Sequence, residues 1–269
     1  LLLVNLKDEN AGYFLKVILR FIFFSYVLEI FLWAVGLGKY SFFPRYNGFF
    51  NDPNQMAFWV LSTCSIYLYL SNRKINNIIV YFLALFLIML TLSRSAILGF
   101  SLLTFAIIFK QKGDIFKKTL LSLFSLLLVL SLLLVLNRYG IFDSILARIM
   151  QGLLEKDEQA EGRGFDILLY FPEYLLFGAG QGNYSLYSPV GNEIHSTWFG
   201  IFFYYGVFGL SIFLIFIYNI FRKLSFAEKI LFLSPMLYGF TTYSARTTIF
   251  WFFIGIFVIA KKNSHIIEK

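Results

Sequence analysis

The chain has 269 residues, of which 59% are hydrophobic and only 14% charged, with a net charge of +8 at pH 7 and a mean hydropathy of +0.73. Soluble domains run at about 45–50% apolar and about 25% charged, and their outsides must be wetted, so a water-soluble domain is excluded. The single cysteine, Cys64, excludes an internal disulfide scaffold, and the apolar content excludes disorder. The composition is that of an integral membrane protein, and no nucleic-acid partner is expected.

A membrane helix needs about 20 largely apolar residues. In chain order the candidates are Val17–Gly38, Gln55–Ser71, Ile75–Leu92, Ser95–Phe109, Thr119–Leu136 and Ser196–Ile220. The stretch Ile230–Ala260 is too long for one helix and carries Arg246 near its middle, so it reads as a hairpin of two short helices, Ile230–Tyr243 and Thr248–Ala260. The expectation is an all-α polytopic protein with eight spans, a single membrane domain over residues 1–269 with an outer loop at 137–195. Glu29 lies inside the first span and could pair with a basic partner, which nothing in the sequence names. The first residues do not read as a cleavable signal peptide, and a start at Leu1 suggests that further spans lie upstream.

Positive charge orients such a chain. With both termini in the cytoplasm, 15 of the 23 Lys and Arg residues fall inside and 8 outside; the inner set is 12 Lys and 3 Arg, the outer 2 Lys and 6 Arg. Lys suffices to anchor a loop. Arg carries a planar fork that binds phosphate in bidentate fashion and keeps its charge in apolar surroundings. An Arg-rich outer face therefore points to a phosphate-bearing ligand there, against the plainer alternative that Arg snorkels at helix ends.

The long outer segment Asn137–Glu193 holds four basic and eight acidic residues. Within it Ile141–Leu154 shows an apolar stripe at helical spacing, an amphipathic helix on the outer surface. Glu155–Arg163 is a polar link. Phe165–Phe177, interrupted by Pro172, is too short to span and reads as interfacial or re-entrant. The cluster Gly178-Ala179-Gly180-Gln181-Gly182 could aim N–H groups at an anion, but more often such a cluster is a turn. Asn183-Tyr184-Ser185 is a chance match to a glycosylation acceptor.

The two His and one Cys offer no metal constellation, there is no P-loop, and no cofactor is expected. His265 sits in a polar tail. His195 stands where the outer loop enters the sixth span, two residues after Glu193, and is either a capping or core residue or a general base or phosphate ligand; an unperturbed imidazole titrates near 6.5, which suits either task. Arg94, in Ser93-Arg94-Ser95, falls in the tight turn between two spans, and an ionisable group at that depth is a functional candidate by default. Arg246 caps a hairpin whose arms reach only about 21 Å against a hydrocarbon core of roughly 30 Å, so it should face a cavity below the outer surface.

At these residues the chain resembles the O-antigen polymerase and O-antigen ligase superfamily of bacterial envelope glycosyltransferases. The resemblance rests on Phe50-Asn51-Asp52-Pro53-Asn54 leading into a span, the Ser93-Arg94-Ser95 turn, and the long outer loop. It continues with Arg163 ahead of Pro172 and Gly178–Gly182, and with His195 opening a span that contains Gly206 and Gly209. It covers roughly Phe50 to Lys262. Ligases commonly show His-Asn where this chain has His195-Ser196, which favours the polymerase.

The resemblance implies a GT-C-like, metal-independent glycosyltransferase of the bacterial inner membrane. Its partner would be undecaprenyl-pyrophosphate-linked glycan in the bilayer, its active site would lie on the periplasmic face, and a polymerase would work with a chain-length regulator. By residue it implies Arg94, Arg163 and Arg246 on pyrophosphate, His195 on pyrophosphate or as base, Glu193 as reserve base, and Arg45 and Asn54 lining the same cavity. The polymerase would join lipid-linked repeat units; the ligase would move the glycan to lipid A–core. A polysaccharide flippase is the remaining alternative, although transporters usually betray repeated halves or broken helices.

Overall fold

A computed structural model describes residues 8–71, 74–110, 164, 167–182 and 193–262. Its helices are α1 Asp8–Ala34, α2 Pro53–Leu70, α3 Lys74–Thr91, α4 Arg94–Lys110, α5 Thr197–Phe221, α6 Phe226–Tyr238 and α7 Thr248–Lys262. A short helical turn at Ile167–Tyr170 and 3-10 turns at Pro172–Tyr174 and Ser244–Arg246 complete the list. No strand occurs among the described residues. The all-helical reading holds.

Two helical stretches, Gly12–Ala34 and Thr197–Phe221, are long and apolar enough to cross a membrane, and only 22% and 28% of their most apolar windows are buried. The core helix of a soluble protein would be mostly covered; here Phe21, Phe24 and Phe31 of α1 and Ile212, Ile215 and Tyr218 of α5 are exposed, as lipid-facing side chains are. Asn77–Thr91, Arg94–Phe109 and Thr248–Ile259 are shorter apolar helices. The fifth expected span Thr119–Leu136, the amphipathic helix Ile141–Leu154 and the link Glu155–Arg163 lie outside the described residues. The expected hairpin is present as α6 and α7, with α6 ending at Tyr238 rather than Tyr243.

The chain divides into two compact units: Leu1–Leu127 with Lys223–Tyr238 and Thr247–Lys269, and Leu128–Arg222 with Gly239–Arg246. In the first unit α2 is the buried axis, packed against α1, α3, α4, α6 and α7. It starts at Pro53 because Asp52, in extended conformation, caps it: the side chain accepts the Asn54 N–H at 2.8 Å, and proline at the first helical position lacks only an N–H that would be orphaned anyway. Pro235 inside α6 donates no N–H to the Leu231 carbonyl one turn back; Ser65 of α2 donates its hydroxyl there instead, at 2.7 Å. Ser234 donates to the Gly99 carbonyl of α4 at 2.6 Å, and a Cβ at Gly99 would lie 3.1 Å from Leu61. Helices approach this closely in membranes through small residues and short polar links.

Glu29 finds uncharged partners among the described residues. It is buried, but the partners it meets are the Tyr46 hydroxyl (3.4 Å to Oε2) and the Phe49 backbone rather than a cation. The physical reason is the return of the loop after α1: Tyr46 is fully buried and also donates to the Glu29 carbonyl at 3.2 Å.

The second unit is organised on α5 and a core of Ile167, Ile194, Phe203, Tyr204 and Tyr243. Phe165–Phe177 does not form a span, as expected; its described part consists of short turns with Leu169 and Phe177 exposed. Helix α5 is broken at Gly206, with φ 68° and ψ −176°, a region open essentially to glycine alone. The groups released by the break are taken up next door: Ala179 N–H donates to the Phe203 carbonyl (2.9 Å), Gly180 N–H to Tyr204 (3.0 Å), and Val207 N–H to the Leu175 carbonyl (2.9 Å). Two N–H groups of the glycine-rich segment are thus spent on α5 and that of Gly178 on the Tyr174 carbonyl, as in a turn.

Candidate functional site

The first unit gathers the residues around the α3–α4 turn. Leu92 takes a positive φ of 50°, which reverses the chain and starts α4 at Arg94. Arg94 is exposed at that first helical position. Beneath it Arg45, only 8% exposed, donates from Nε to the Thr91 carbonyl at 2.9 Å and from Nη2 to Asn54 Oδ1 at 2.7 Å. Tyr238 of α6 donates to the Asn54 carbonyl at 3.2 Å and shares a 3.2 Å hydrogen bond with Ser93 Oγ. Arg45 and Asn54, expected to line a cavity, are here joined in a buried clamp that ties the α3–α4 turn to the head of α2. Arg94 stands exposed at the end of the turn that this clamp holds.

The second unit gathers Glu193, His195 and Arg246. Burial alternates along the approach to α5: Ile194 and Ser196 are fully buried while His195 is exposed and Glu193 partly so. Extended backbone turns alternate side chains to opposite faces, so burying Ile194 in the core displays Glu193 and His195. Ser196 then caps α5, its hydroxyl accepting the Phe199 N–H at 3.4 Å and donating to the Gly239 carbonyl at 3.3 Å. Thr197 ties the same helix start to the turn after α6: its N–H reaches the Gly239 carbonyl at 2.7 Å, and its Oγ1 donates to the Thr242 carbonyl at 3.0 Å and accepts the Ser244 N–H at 2.8 Å.

That clasp sets the position of Arg246, whose Nη1 pairs with Glu193 Oε2. The Arg246 side chain is 39% exposed and that of Glu193 21%, so one guanidinium edge is held while other N–H donors face outward. Its carbon lies 6.0 Å from the centre of the Tyr243 ring, within cation–π range. Burial pushes the Tyr243 hydroxyl up to about 12, so it stays protonated at any physiological pH. Tyr243 stacks on Tyr204 at 6.1 Å and rests on Gly200, where a Cβ would stand 3.1 Å from the ring. The arrangement can offer an anion the exposed edge of Arg246, with the imidazole of His195 exposed two residues along the chain from Glu193.

Arg163 lies outside the described residues. The sequence did not single out Thr91, Tyr205, Tyr238 or Tyr243, nor Gln181 apart from its glycine cluster; among 17 Tyr and 35 Phe no local pattern distinguishes a tyrosine that holds a site from one that fills space.

A family model described as O-antigen ligase matches residues 79–214, about half of the chain. The match begins in α3 and ends in α5, so it contains Arg94, Arg163, Glu193, His195 and Gly206, while Arg45, Asn54 and Arg246 fall outside it. No curated protein matches the chain.

Proposed function

The chain belongs to the O-antigen ligase family, and on that premise we propose that this membrane enzyme moves glycan from undecaprenyl pyrophosphate onto a sugar hydroxyl at the periplasmic face of the bacterial inner membrane, polymerising lipid-linked repeat units. The observation that carries the reading is the Arg246–Glu193 pair, with His195 exposed two residues after Glu193. In the step itself the acceptor oxygen bonds to the anomeric carbon, the bond from that carbon to the pyrophosphate oxygen breaks, and the acceptor proton passes to His195. Arg246 takes the charge that develops on the leaving pyrophosphate, and the resemblance gives Arg94 and Arg163 the same task. Glu193 orients Arg246, and Arg45 and Asn54 hold the turn that presents Arg94. Guanidinium groups supply the charge stabilisation, so turnover should persist in a chelator.

A second reading, transfer to lipid A–core, is favoured by the family description. The polymerase reading rests on Ser196 standing where ligases commonly have Asn. Because Ser196 caps α5, and Asn caps a helix equally well, that difference takes no chemistry from a ligase. A flippase would share one feature with this chain, the broken helix α5, but the groups freed there are bonded to Leu175, Ala179 and Gly180 rather than open to a substrate.

The envelope glycan of a deletion strain tests the proposal. Core capped with single repeats means polymerase, unattached long polymer means ligase, and lipid-linked units retained at the inner face overturn both. Reporter fusions test the face: those after Lys118 and Lys262 should read cytoplasmic and one within Glu155–Glu161 periplasmic.

A further inference from the structure

Gln181 is exposed in the segment that bridges the break in α5. Its Oε1 accepts the Tyr205 hydroxyl at 2.8 Å and the Tyr243 hydroxyl at 3.4 Å. A carbonyl oxygen has two lone pairs, so two phenols fill it and fix which way round the amide sits. The Nε2 group then points away, and its two hydrogens have no partner among the described residues. The segment is rigid on its upstream side, because Ala179 and Gly180 bond to α5.

This amide continues the candidate site. Tyr243 touches Gln181 through its hydroxyl and carries Arg246 over its ring, and Tyr205, 48% exposed, walls the other side. Buried Tyr243 thus joins a cation at Arg246 to an uncharged double donor at Gln181, and the exposed aromatic carbon beside that donor is the Tyr205 ring. A second phosphate would need charge at the far end. A sugar ring needs what is there: N–H donors for its hydroxyl oxygens and a flat ring edge for its C–H face.

We propose that the Gln181 amide, held by Tyr205 and Tyr243, is a sugar-hydroxyl subsite beside Arg246. The inference rests on the glycosyltransferase reading for the source of the sugar, not for the binding itself. A subsite held rigid before the ligand arrives loses little entropy on binding.

The test uses the full chain in lipid nanodiscs. The probe is the free oligosaccharide released by mild acid from the lipid-linked repeat unit of the cell that makes this protein. Direct binding is measured for wild type, Gln181→Ala and Gln181→Glu, with thermal unfolding alongside. Glutamate still accepts both phenol hydroxyls and so keeps the segment tied to α5, but it offers no N–H. Both variants should bind at least tenfold more weakly than wild type, with the melting point of Gln181→Glu unchanged. Wild-type affinity in Gln181→Glu, or no binding to wild type, overturns the proposal. Transfer kinetics with each substrate varied separately then show the source: a raised KM for the acceptor marks the acceptor glycan, a raised KM for the donor its linked sugar. If binding is lost in Gln181→Glu while wild type transfers no glycan, the subsite stands and the glycosyltransferase reading falls.

Discussion

Arg246 and Glu193 stand 53 residues apart in the chain and meet as an ion pair. The pair forms because Thr197, at the head of α5, bonds to the backbone on both sides of Tyr243. It joins the residue expected to grip pyrophosphate to the residue expected in reserve as a base, which gives Glu193 an orienting task and leaves His195 as the base to test first.

A general base is worth about 10²–10⁴ in rate. His195→Ala should lose turnover on that scale while donor binding is kept. Glu193→Gln should cost less, roughly tenfold, and should act on donor KM, since a glutamine oxygen still accepts from Arg246 without its charge. Kinetics on the purified variants check this; a larger loss for Glu193→Gln with donor binding intact would hand the base role to Glu193.

Arg94 is exposed at the start of α4, on a turn held by buried Arg45. If it binds pyrophosphate through its fork, Arg94→Lys should lose most activity at normal expression, because an ammonium is only a point charge. Arg163→Lys should behave alike. Wild-type polymer length in both variants would remove the two residues from the mechanism.

Gly206→Ala should destabilise the protein by at least about 2 kcal/mol, since a non-glycine residue at such φ/ψ costs about 1–3 kcal/mol before any clash. Its Cβ would run into the backbone of Leu176 and Gly178. Gly255→Ala in α7 meets nothing within 4 Å and should be neutral or slightly stabilising. Thermal unfolding of the two variants side by side reads the difference; equal melting points would mean that the break is not required.

The raised Tyr243 hydroxyl makes stability fall with pH. A group whose folded value is about 12, against an unfolded value near 10, holds its proton more tightly when folded. Its contribution is complete below pH 10 and is lost as pH rises from 10 towards 12. Tyr243→Phe should flatten that decline relative to wild type in unfolding curves taken from pH 8 to 11. Parallel curves would show that Tyr243 is solvated.

Ser65→Ala leaves the Leu231 carbonyl without the donor that replaces the missing Pro235 N–H. Interhelical hydrogen bonds in membranes average about 0.6 kcal/mol and reach about 1.7, so a loss within that range is expected, and Pro235→Ala in the same background should recover part of it by restoring the helical N–H. A double-mutant cycle on unfolding free energies measures the coupling, and additive effects would refute it.

The helices were legible because their signal is local. A run of apolar residues must satisfy its own backbone, and this alone places α3 to α5 and α7 within a few residues, the hairpin turn at Arg246 and the non-spanning stretch around Pro172; α1 instead begins at Asp8, nine residues before the expected Val17, because its first turns are polar. Asp52-Pro53 likewise marks the head of α2 by capping chemistry. Other features were settled only by tertiary packing, because they join residues far apart in the chain. Arg45 reaches Thr91 across 46 positions and Tyr238 reaches Asn54 across 184, and neither separation leaves a periodic trace. Glu29 drew attention as a buried charge, but its partner Tyr46 depended on how the loop after α1 returns. Gly206 and Gly209 look alike in sequence; only Gly206 has the positive φ, since it is there that Leu175–Gly180 replaces the hydrogen bonds of the helix.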